Sequence, residues 1–272
     1  MGSKNSQKED AKMNQTERRR FLIKALLQED PRYGQLSIPV QEEEQKKLLR
    51  SLFNMRPPKA ADQTFLQVQD AYLQEENRRR GIVTLAELSP IAPHTYLWRG
   101  DITTLQCDAI VNAANSGMTG CYQPCHNCID NCIHTYAGVQ LRNACNELME
   151  QQGHAEPTGQ AKITSAYNLP SRFVLHTVGP IVQGRLTDEH CRLLASCYRA
   201  CLELAAQNRL QSIAFCCIST GVFMFPNEKA AEIAVETVRT YREATGSQID
   251  VIFNVFQEFD EVVYRSLLAP QI

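Results

Sequence analysis

The stretch 212-SIAFCCISTGVF-223 joins an apolar run to a short polar loop that contains a glycine. Its first seven residues are apolar or small, which is typical of a strand buried on both faces of a parallel sheet. The following residues place Gly221 just beyond the end of that strand. Because ligands of open α/β sheets bind beyond the carboxyl ends of the strands, this stretch predicts both the fold class and the location of a site.

Similar runs recur along the chain, and helical patterns separate them. Further strands are predicted at residues 95–100, 108–114, 160–167, 172–178 and 249–256. Apolar residues at helical spacing predict helices at 129–152, 188–208 and 227–244, with Pro226 in the first turn of the last one. This alternation predicts an α/β protein with a mixed, mostly parallel sheet covered by helices on both faces.

The first third of the chain has a different composition. Residues 1–90 are rich in Gln, Glu, Lys and Arg, with apolar residues at helical spacing in 21–27, 45–55 and 64–81. We therefore predict a helical N-terminal extension over residues 1–90 and the main domain over 91–272. The extension is expected to pack on the main domain, and partner recognition is the alternative role.

Charge and composition exclude several function classes. The formal net charge of −2 and a pI of about 6.3 give no electrostatic basis for general nucleic-acid binding. No apolar stretch is long enough to span a bilayer, and the polar start does not resemble a secretory peptide. The 11 cysteines, an odd number largely within apolar segments, argue against a disulfide framework. We expect a cytoplasmic protein with no nucleic-acid or membrane partner.

Polar motifs follow three of the predicted strands. Asp101 follows the strand at 95–100, Asn112 and Asn115 stand at the end of 108–114, and Ser219-Thr220-Gly221-Val222 follows the third. A carboxylate can accept an adenine amino proton, amides can bind sugar hydroxyls, and a curled glycine loop can surround a phosphate with backbone N–H groups. Turn formation explains each motif taken singly. Their shared arrangement on one sheet favours a ligand site.

With these motifs the chain resembles the macrodomain family. The matching elements are Gly100-Asp101-Ile102, Asn112-Ala113-Ala114-Asn115, Ile129-Asp130-Asn131-Cys132-Ile133-His134 and Ser219-Thr220-Gly221-Val222-Phe223. The resemblance covers roughly residues 95–268 and implies a three-layer α/β/α sandwich that binds ADP-ribose. It places adenine at Asp101, Ile102 and Phe256, the diphosphate at residues 219–223, and the distal ribose at Asn115.

A dense group of soft ligands follows the asparagine motif, in 120-GCYQPCHNCIDNCIH-134. Thiolate and imidazole groups at this density suit zinc in tetrahedral geometry. Six residues are candidates from the local sequence alone: Cys121, Cys125, His126, Cys128, Cys132 and His134. A purely structural zinc, or reduced cysteines without any metal, are the alternatives.

This segment is similar to that of the zinc-dependent macrodomain branch, whose N-terminal extension also resembles the one here. The resemblance implies one zinc ion held by Cys121, His126 and Cys128, and it is the only ground for leaving out Cys125. Three protein ligands leave the fourth tetrahedral position open, as in catalytic zinc sites. The same resemblance makes His134 a structural residue or one that supports the metal ligands without binding the metal. His94, His154, His176 and His190 are predicted to be ordinary surface or core histidines.

The resemblance implies a zinc-dependent hydrolase that removes ADP-ribose from modified protein side chains. Asn115 would fix the distal ribose, and Asp130 would position water or act as a base, with a helix-start carboxylate as the alternative for Asp130. The substrate would be an ADP-ribosylated protein and the product ADP-ribose, with a lipoylated carrier protein modified by a sirtuin-type transferase as the implied partner. A non-catalytic ADP-ribose reader with a structural zinc and an O-acetyl-ADP-ribose deacetylase are the alternative functions.

Overall fold

The computed structural model describes residues 13–269, which form nine strands and eight α-helices. The strands are β1 Val83–Thr84, β2 Pro90–Ala92, β3 Thr95–Arg99, β4 Leu105–Gln106, β5 Ala109–Ala114, β6 Ala161–Ser165, β7 Phe173–Val178, β8 Ser212–Phe215 and β9 Asp250–Val255. The helices are α1 Gln15–Glu29, α2 Glu42–Met55, α3 Gln63–Arg80, α4 Ile129–Ala137, α5 Val139–Gln152, α6 Asp188–Gln207, α7 Asn227–Thr245 and α8 Glu258–Leu268.

Seven of the strands form one mixed sheet in the order β2-β3-β9-β8-β5-β7-β6. The five inner strands run parallel, and the edge strands β2 and β6 pair antiparallel with their neighbours. Strands β1 and β4 form a separate parallel pair. The predicted α/β class with a mixed, mostly parallel sheet is confirmed.

The central strands are buried on both faces. In β5, the successive residues Ile110 and Val111 are both fully buried, although their side chains point to opposite sides of the sheet. Helices α6, α7 and α8 contact one another in chain order, whereas α4 and α5 form a second group that contacts β5 and β6. Two helical layers around one sheet account for the apolar composition of the inner strands, as the three-layer sandwich requires.

The prediction of one continuous helix over residues 129–152 is wrong, because the chain forms two helices there that are separated at Gly138. Gly138 has φ +96, which ends α4 at Ala137 and starts α5 at Val139. A Cβ at Gly138 would lie 2.7 Å from Nε2 of Gln69 in α3. The break therefore admits a helix of the N-terminal extension, a contact that the local apolar spacing does not encode.

Other boundaries differ by a few residues. The strand predicted to reach residue 218 ends at Phe215, because the Cys217 carbonyl accepts hydrogen bonds from the backbone N and Oγ1 of Thr220 and so closes a turn. Pro226 is the residue that precedes α7 rather than part of its first turn. Strands β1, β2 and β4 and the last helix, α8, were not predicted.

The three helices of the extension have a core of their own. Leu22, Leu49, Phe65 and other buried apolar side chains of α1–α3 form one cluster, which Val139 of α5 joins. The extension therefore packs on the main domain through α4 and α5. The boundary at residue 90 stays a prediction. None of the helices within residues 13–269 combines the length and the apolar composition that crossing a bilayer requires.

Candidate active site

The predicted site residues lie beyond the carboxyl ends of the parallel strands. Asp101 follows β3, Phe256 follows β9, the loop 219–223 follows β8, and Asn115 follows β5. Because these strands are neighbours in the order β3-β9-β8-β5, three strand spacings, roughly 14 Å, separate the first residue from the last. The topology therefore arranges the motifs in one row.

Asp101 and Phe256 lie at one end of this row. The backbone N of Gly100 donates to the Val255 carbonyl at 3.0 Å, which holds the residues after β3 and β9 side by side. Phe256 is 71% exposed although it stands at the end of a buried strand, so it is accessible to a planar ligand. Ile102 is buried as a whole residue, and its predicted adenine contact stays a prediction.

The carboxylate of Asp101 already has partners within the protein. Its Oδ1 accepts from the backbone N and Oγ1 of Thr103, and its Oδ2 accepts from Arg80 of the extension. The guanidinium of Arg80 also stacks over the ring of Tyr136 in α4. About 41% of the Asp101 side chain remains exposed. The predicted adenine contact stays a prediction, and a ligand would share the carboxylate with Arg80.

The loop after β8 presents a row of backbone N–H groups. Within residues 13–269, no acceptor pairs with the backbone N–H of Gly221, Val222 or Phe223. Two hydrogen bonds of 3.0 Å hold the loop: Met224 N donates to the Gly221 carbonyl, and Phe225 N donates to the Ser219 carbonyl. Unpaired N–H groups on a curled backbone form the kind of concave surface that binds phosphate.

Gly179, at the end of β7, is a site residue that the sequence reading missed. A Cβ at this position would overlap the hydroxyl of Ser219, which is buried and lacks a hydrogen-bond partner among residues 13–269. The backbone of Ser219 has φ +66. The Val182 backbone N donates to the Phe223 carbonyl at 2.9 Å, so the chain after β7 supports the loop. The pair Val178-Gly179 at a strand end was the available signal.

At the other end of the row, two asparagines bind one buried carboxylate. Asn112 Nδ2 donates to Asp130 Oδ1 at 2.8 Å, and Asn115 Nδ2 donates to Asp130 Oδ2 at 3.2 Å. Burial raises the pKa of Asp130 to about 6, and the two amide donors oppose that shift. Asn112 is fully buried, and its amide positions Asp130. The predicted ligand contact of Asn112 stays a prediction.

Two histidines and a cysteine lie behind these asparagines. His176 accepts from Asn112 at Nδ1 and contacts Thr164 Oγ1 at 2.9 Å and Cys145 Sγ at 3.7 Å through Nε2. His134 Nε2 lies 3.6 Å from Asp130 Oδ1. Burial lowers the pKa of His176 to about 3 and that of His134 well below its usual range, which favours the neutral form of each ring. His176 is a core histidine, as predicted, but its contact with the asparagine motif was not foreseen.

Cys121, His126 and Cys128 come together beside Asp130. Their three ligand atoms all lie within 4.8 Å of one another, and Cys121 Sγ is 3.7 Å from His126 Nδ1. Two such ligands of one tetrahedral zinc would stand about 3.6 Å apart, given bond lengths of roughly 2.3 Å to sulfur and 2.0–2.1 Å to nitrogen. The donor set of two thiols and one imidazole therefore fits a zinc ion. Cys128 also accepts from Asn131 N at 3.4 Å, as the N-cap of α4.

The two remaining cysteines of this segment face other groups. Cys125 has φ +54, and its Sγ lies 3.2 Å from Ser51 Oγ in α2, outside the three-residue group. Cys132 Sγ lies 3.6 Å from the Arg50 guanidinium.

Burial raises the pKa of the Cys128 thiol to about 12, so binding of a cation there would release its proton.

Comparison with known proteins places the chain in a family. The Macro domain model matches residues 111–234, a span that contains the asparagine motif, the cysteine segment and the loop after β8. The chain is 60% identical over 261 residues to a protein named protein-ADP-ribose hydrolase of Treponema medium, covering 94% of this chain and all of that protein. It is 48% identical over 250 residues to a protein of the same name from Staphylococcus aureus, covering 90% of this chain and 92% of that protein.

A solved structure agrees with this assignment. The Trypanosoma brucei macrodomain in complex with ADP-ribose superposes with a TM-score of 0.62 at 33% identity, covering 81% of this chain and 95% of that one. The matched family model, the relatives that are similar along nearly their whole length and the shared fold agree with one another. The chain belongs to the macrodomain family.

Proposed function

We propose that the protein hydrolyses the bond between ADP-ribose and a modified protein side chain, and that it uses one zinc ion to do so. The proposal depends on one observation: the cluster of Cys121, His126 and Cys128 lies next to Asp130 at the far end of a row that suits a nucleotide. The protein-ADP-ribose hydrolases with which the chain aligns along nearly their entire length support the reaction class.

The binding part of the proposal assigns each portion of ADP-ribose to one strand end. Adenine stacks on the exposed ring of Phe256 near Asp101 and the Ile102 backbone. The diphosphate accepts hydrogen bonds from the unpaired N–H groups of the loop 219–223. The distal ribose then lies near Asn115, which hydrogen bonds Asp130 and the Gly120 carbonyl.

The chemical step cleaves the bond from the anomeric carbon to the side chain: water supplies a hydroxyl group to the carbon, and its remaining proton goes to the departing side chain. Asp130 accepts a hydrogen bond from this water and orients it, because Asn112 and Asn115 hold its carboxylate in a fixed direction. Cys121, His126 and Cys128 would hold the zinc ion, which when bound supplies a Lewis acid beside the ribose. Asn115 limits the motion of the ribose so that the reacting atoms stay aligned.

The partner is proposed on the resemblance alone. We propose an ADP-ribosylated protein as substrate, ADP-ribose as product, and a lipoylated carrier protein modified by a sirtuin-type transferase as the natural acceptor. We also propose a cytoplasmic location.

The proposed activity is tested by following the release of labelled ADP-ribose. Proteins modified through Asp or Glu, Ser and Arg linkages are incubated with the zinc-loaded enzyme, and O-acetyl-ADP-ribose is assayed in parallel. We expect release of free ADP-ribose from at least one protein linkage, and loss of that release when a chelator removes the metal. Tight binding without release would identify a reader, and turnover of O-acetyl-ADP-ribose alone would identify a deacetylase.

Replacing Gly221 with alanine is expected to weaken ADP-ribose binding about tenfold or more, without loss of stability. No atom lies within 4 Å of the position that a Cβ would occupy at Gly221, and its φ is not in the left-handed region. An alanine therefore fits the ligand-free protein, and a clash can arise only with a bound diphosphate. Calorimetric titration with ADP-ribose and thermal unfolding measure the two effects. Unchanged affinity would place the diphosphate elsewhere.

A further inference from the structure

We infer that the N-terminal extension is a working part of the zinc site, and that Arg50 of α2 is the residue that positions the metal-binding loop. This inference rests on the proposed function, since it concerns how Cys121, His126 and Cys128 are held. Arg50 would contact neither the metal nor the substrate. It would act through the backbone that carries the ligands.

The loop between β5 and α4 has little structure of its own. Residues 115–128 contain no strand or helix, and Met118, Gly120 and Cys125 have positive φ. Of its backbone N–H groups, Gly117 donates within the loop to Asn115 Oδ1, and Met118 and His126 donate to the Asn115 and Gln123 carbonyls. The positions of the metal ligands must therefore be determined by contacts with the surrounding elements.

Arg50 supplies one such contact from the extension. Its Nη2 donates to the carbonyl of the ligand residue His126 at 2.7 Å and to Asn131 Oδ1 at 3.1 Å. The amide of Asn131 in turn donates to the carbonyls of Cys121 at 3.3 Å and Gln123 at 2.9 Å. One guanidinium, together with one buried asparagine, thus orients the backbone on both sides of the loop, including two of the three ligand residues.

A second contact comes from the next turn of α2. Asn54 Oδ1 accepts from Cys125 N at 2.9 Å, and Asn54 Nδ2 donates to Thr135 Oγ1 of α4 at 2.9 Å. Arg142 of α5 donates to the Thr119 carbonyl at 2.7 Å and to the Asn54 carbonyl at 2.8 Å. The loop is therefore held between α2, α4 and α5 at positions 119 to 126.

Helix α2 can serve as a rigid support because the neighbouring face of the helix is packed. Leu49, Leu52 and Phe53 are at most 6% exposed in the core of the extension. Groups that orient metal ligands without touching the metal commonly change metal affinity or activity by 10–100-fold when they are removed. Through its hydrogen bonds to the His126 carbonyl and to Asn131, Arg50 would orient the ligand residues His126 and Cys121 without touching the metal.

Charge alone predicts a small effect on zinc affinity. The thiol protons leave as the ion enters, so the net charge of the site changes little on binding. Removing a positioning group weakens zinc binding. A variant that keeps the positive charge at position 50 but loses part of its hydrogen bonds therefore isolates the positioning role.

The experiment compares three full-length variants. Arg50→Met keeps the length of the side chain and removes its donors, whereas Arg50→Lys keeps the charge and one donor group. Lys46→Met is the matched control, because it removes one positive charge from the same helix, where Lys46 makes ion pairs only with Glu42 and Glu43. Zinc affinity is measured by competition with a chromophoric chelator, ADP-ribose affinity by calorimetry, and folding by thermal unfolding. The absorption spectrum with Co²⁺ in place of zinc reports the ligand geometry.

We expect Arg50→Met to weaken zinc binding about 10–100-fold and to alter the Co²⁺ spectrum, with ADP-ribose affinity close to that of the unaltered protein. Arg50→Lys should recover part of the zinc affinity, and Lys46→Met should retain all of it. Equal zinc affinity in Arg50→Met and Lys46→Met would overturn the inference. If Arg50→Met does not fold, Arg50→Lys decides, because unchanged zinc affinity in that variant has the same meaning. Failure of the unaltered protein to bind zinc would instead reject the metal part of the proposed function.

Discussion

Replacing Cys128 with serine is expected to abolish tight zinc binding and to reduce hydrolysis to the level of the chelated enzyme, while ADP-ribose still binds. A hydroxyl group is a much poorer zinc ligand than a thiolate, and only two ligands would remain. Serine is a sharper change than alanine at this position, because the Cys128 side chain also caps α4 through the N–H of Asn131. A serine hydroxyl keeps that cap, so the loss of metal is not confounded by the loss of a helix end.

The matched control is Cys125→Ala in the same loop. The Cys125 thiol contacts Ser51 and lies outside the group formed by Cys121, His126 and Cys128. This variant should keep stoichiometric zinc and activity within a few fold of the unaltered protein. Zinc content by elemental analysis, hydrolysis of a labelled substrate and calorimetry with ADP-ribose are the three measurements. Loss of zinc in Cys125→Ala would revise the ligand set, and full hydrolysis by Cys128→Ser would exclude the zinc mechanism.

Replacing Asp130 with asparagine is expected to slow hydrolysis by about 10²–10⁴-fold, the usual contribution of a positioned acid–base group. Asparagine matches the shape of the carboxylate and can still accept the hydrogen bond from Asn112. It removes the negative charge that would orient water toward the anomeric carbon. Zinc content and ADP-ribose affinity should stay within about threefold, because Asp130 is not among the three ligand residues and is assigned no contact with ADP-ribose.

A carboxylate at the opposite end of β5 provides the control for Asp130. Asp108 precedes β5, pairs with Arg172 and accepts from the backbone N of Gln211, far along the strand from the cleft. Asp108→Asn should reduce stability slightly and leave the rate per folded molecule unchanged. Single-turnover hydrolysis measures the chemical step directly in both variants. If Asp130→Asn hydrolyses substrate at the normal rate, the carboxylate only starts helix α4, and another group orients the water.

The strand ends were predictable because each one is a local pattern. Apolar runs followed by Asp101, by Asn115 or by the loop at Gly221 can be read within a dozen residues, and parallel strands end at a common edge. The three residues predicted to bind zinc also stand together in the structure. Their role stays a prediction, as do the roles of the ligand-binding residues.

The prediction was weaker wherever a distant segment determines the local conformation. The break at Gly138 depends on Gln69 of the extension, about seventy residues earlier, and helical spacing alone reads through it. The need for glycine at position 179 comes from the hydroxyl of Ser219, which lies in the loop after β8. Neither partner can be identified from the residues around the glycine.

The amino-acid sequence by itself determined the alternation of strands and helices, the family motifs and the spacing of the soft ligands. These are properties of periodicity and residue type over short windows. Only the tertiary structure decided that Asn112 is buried behind Asp130 and that Arg50 of the extension holds the loop of His126. Such contacts join residues that lie up to about eighty positions apart, and their geometry depends on how the helices of the extension pack on the sheet domain. A hydrogen bond depends on distance and direction in space, and no local pattern records either of them.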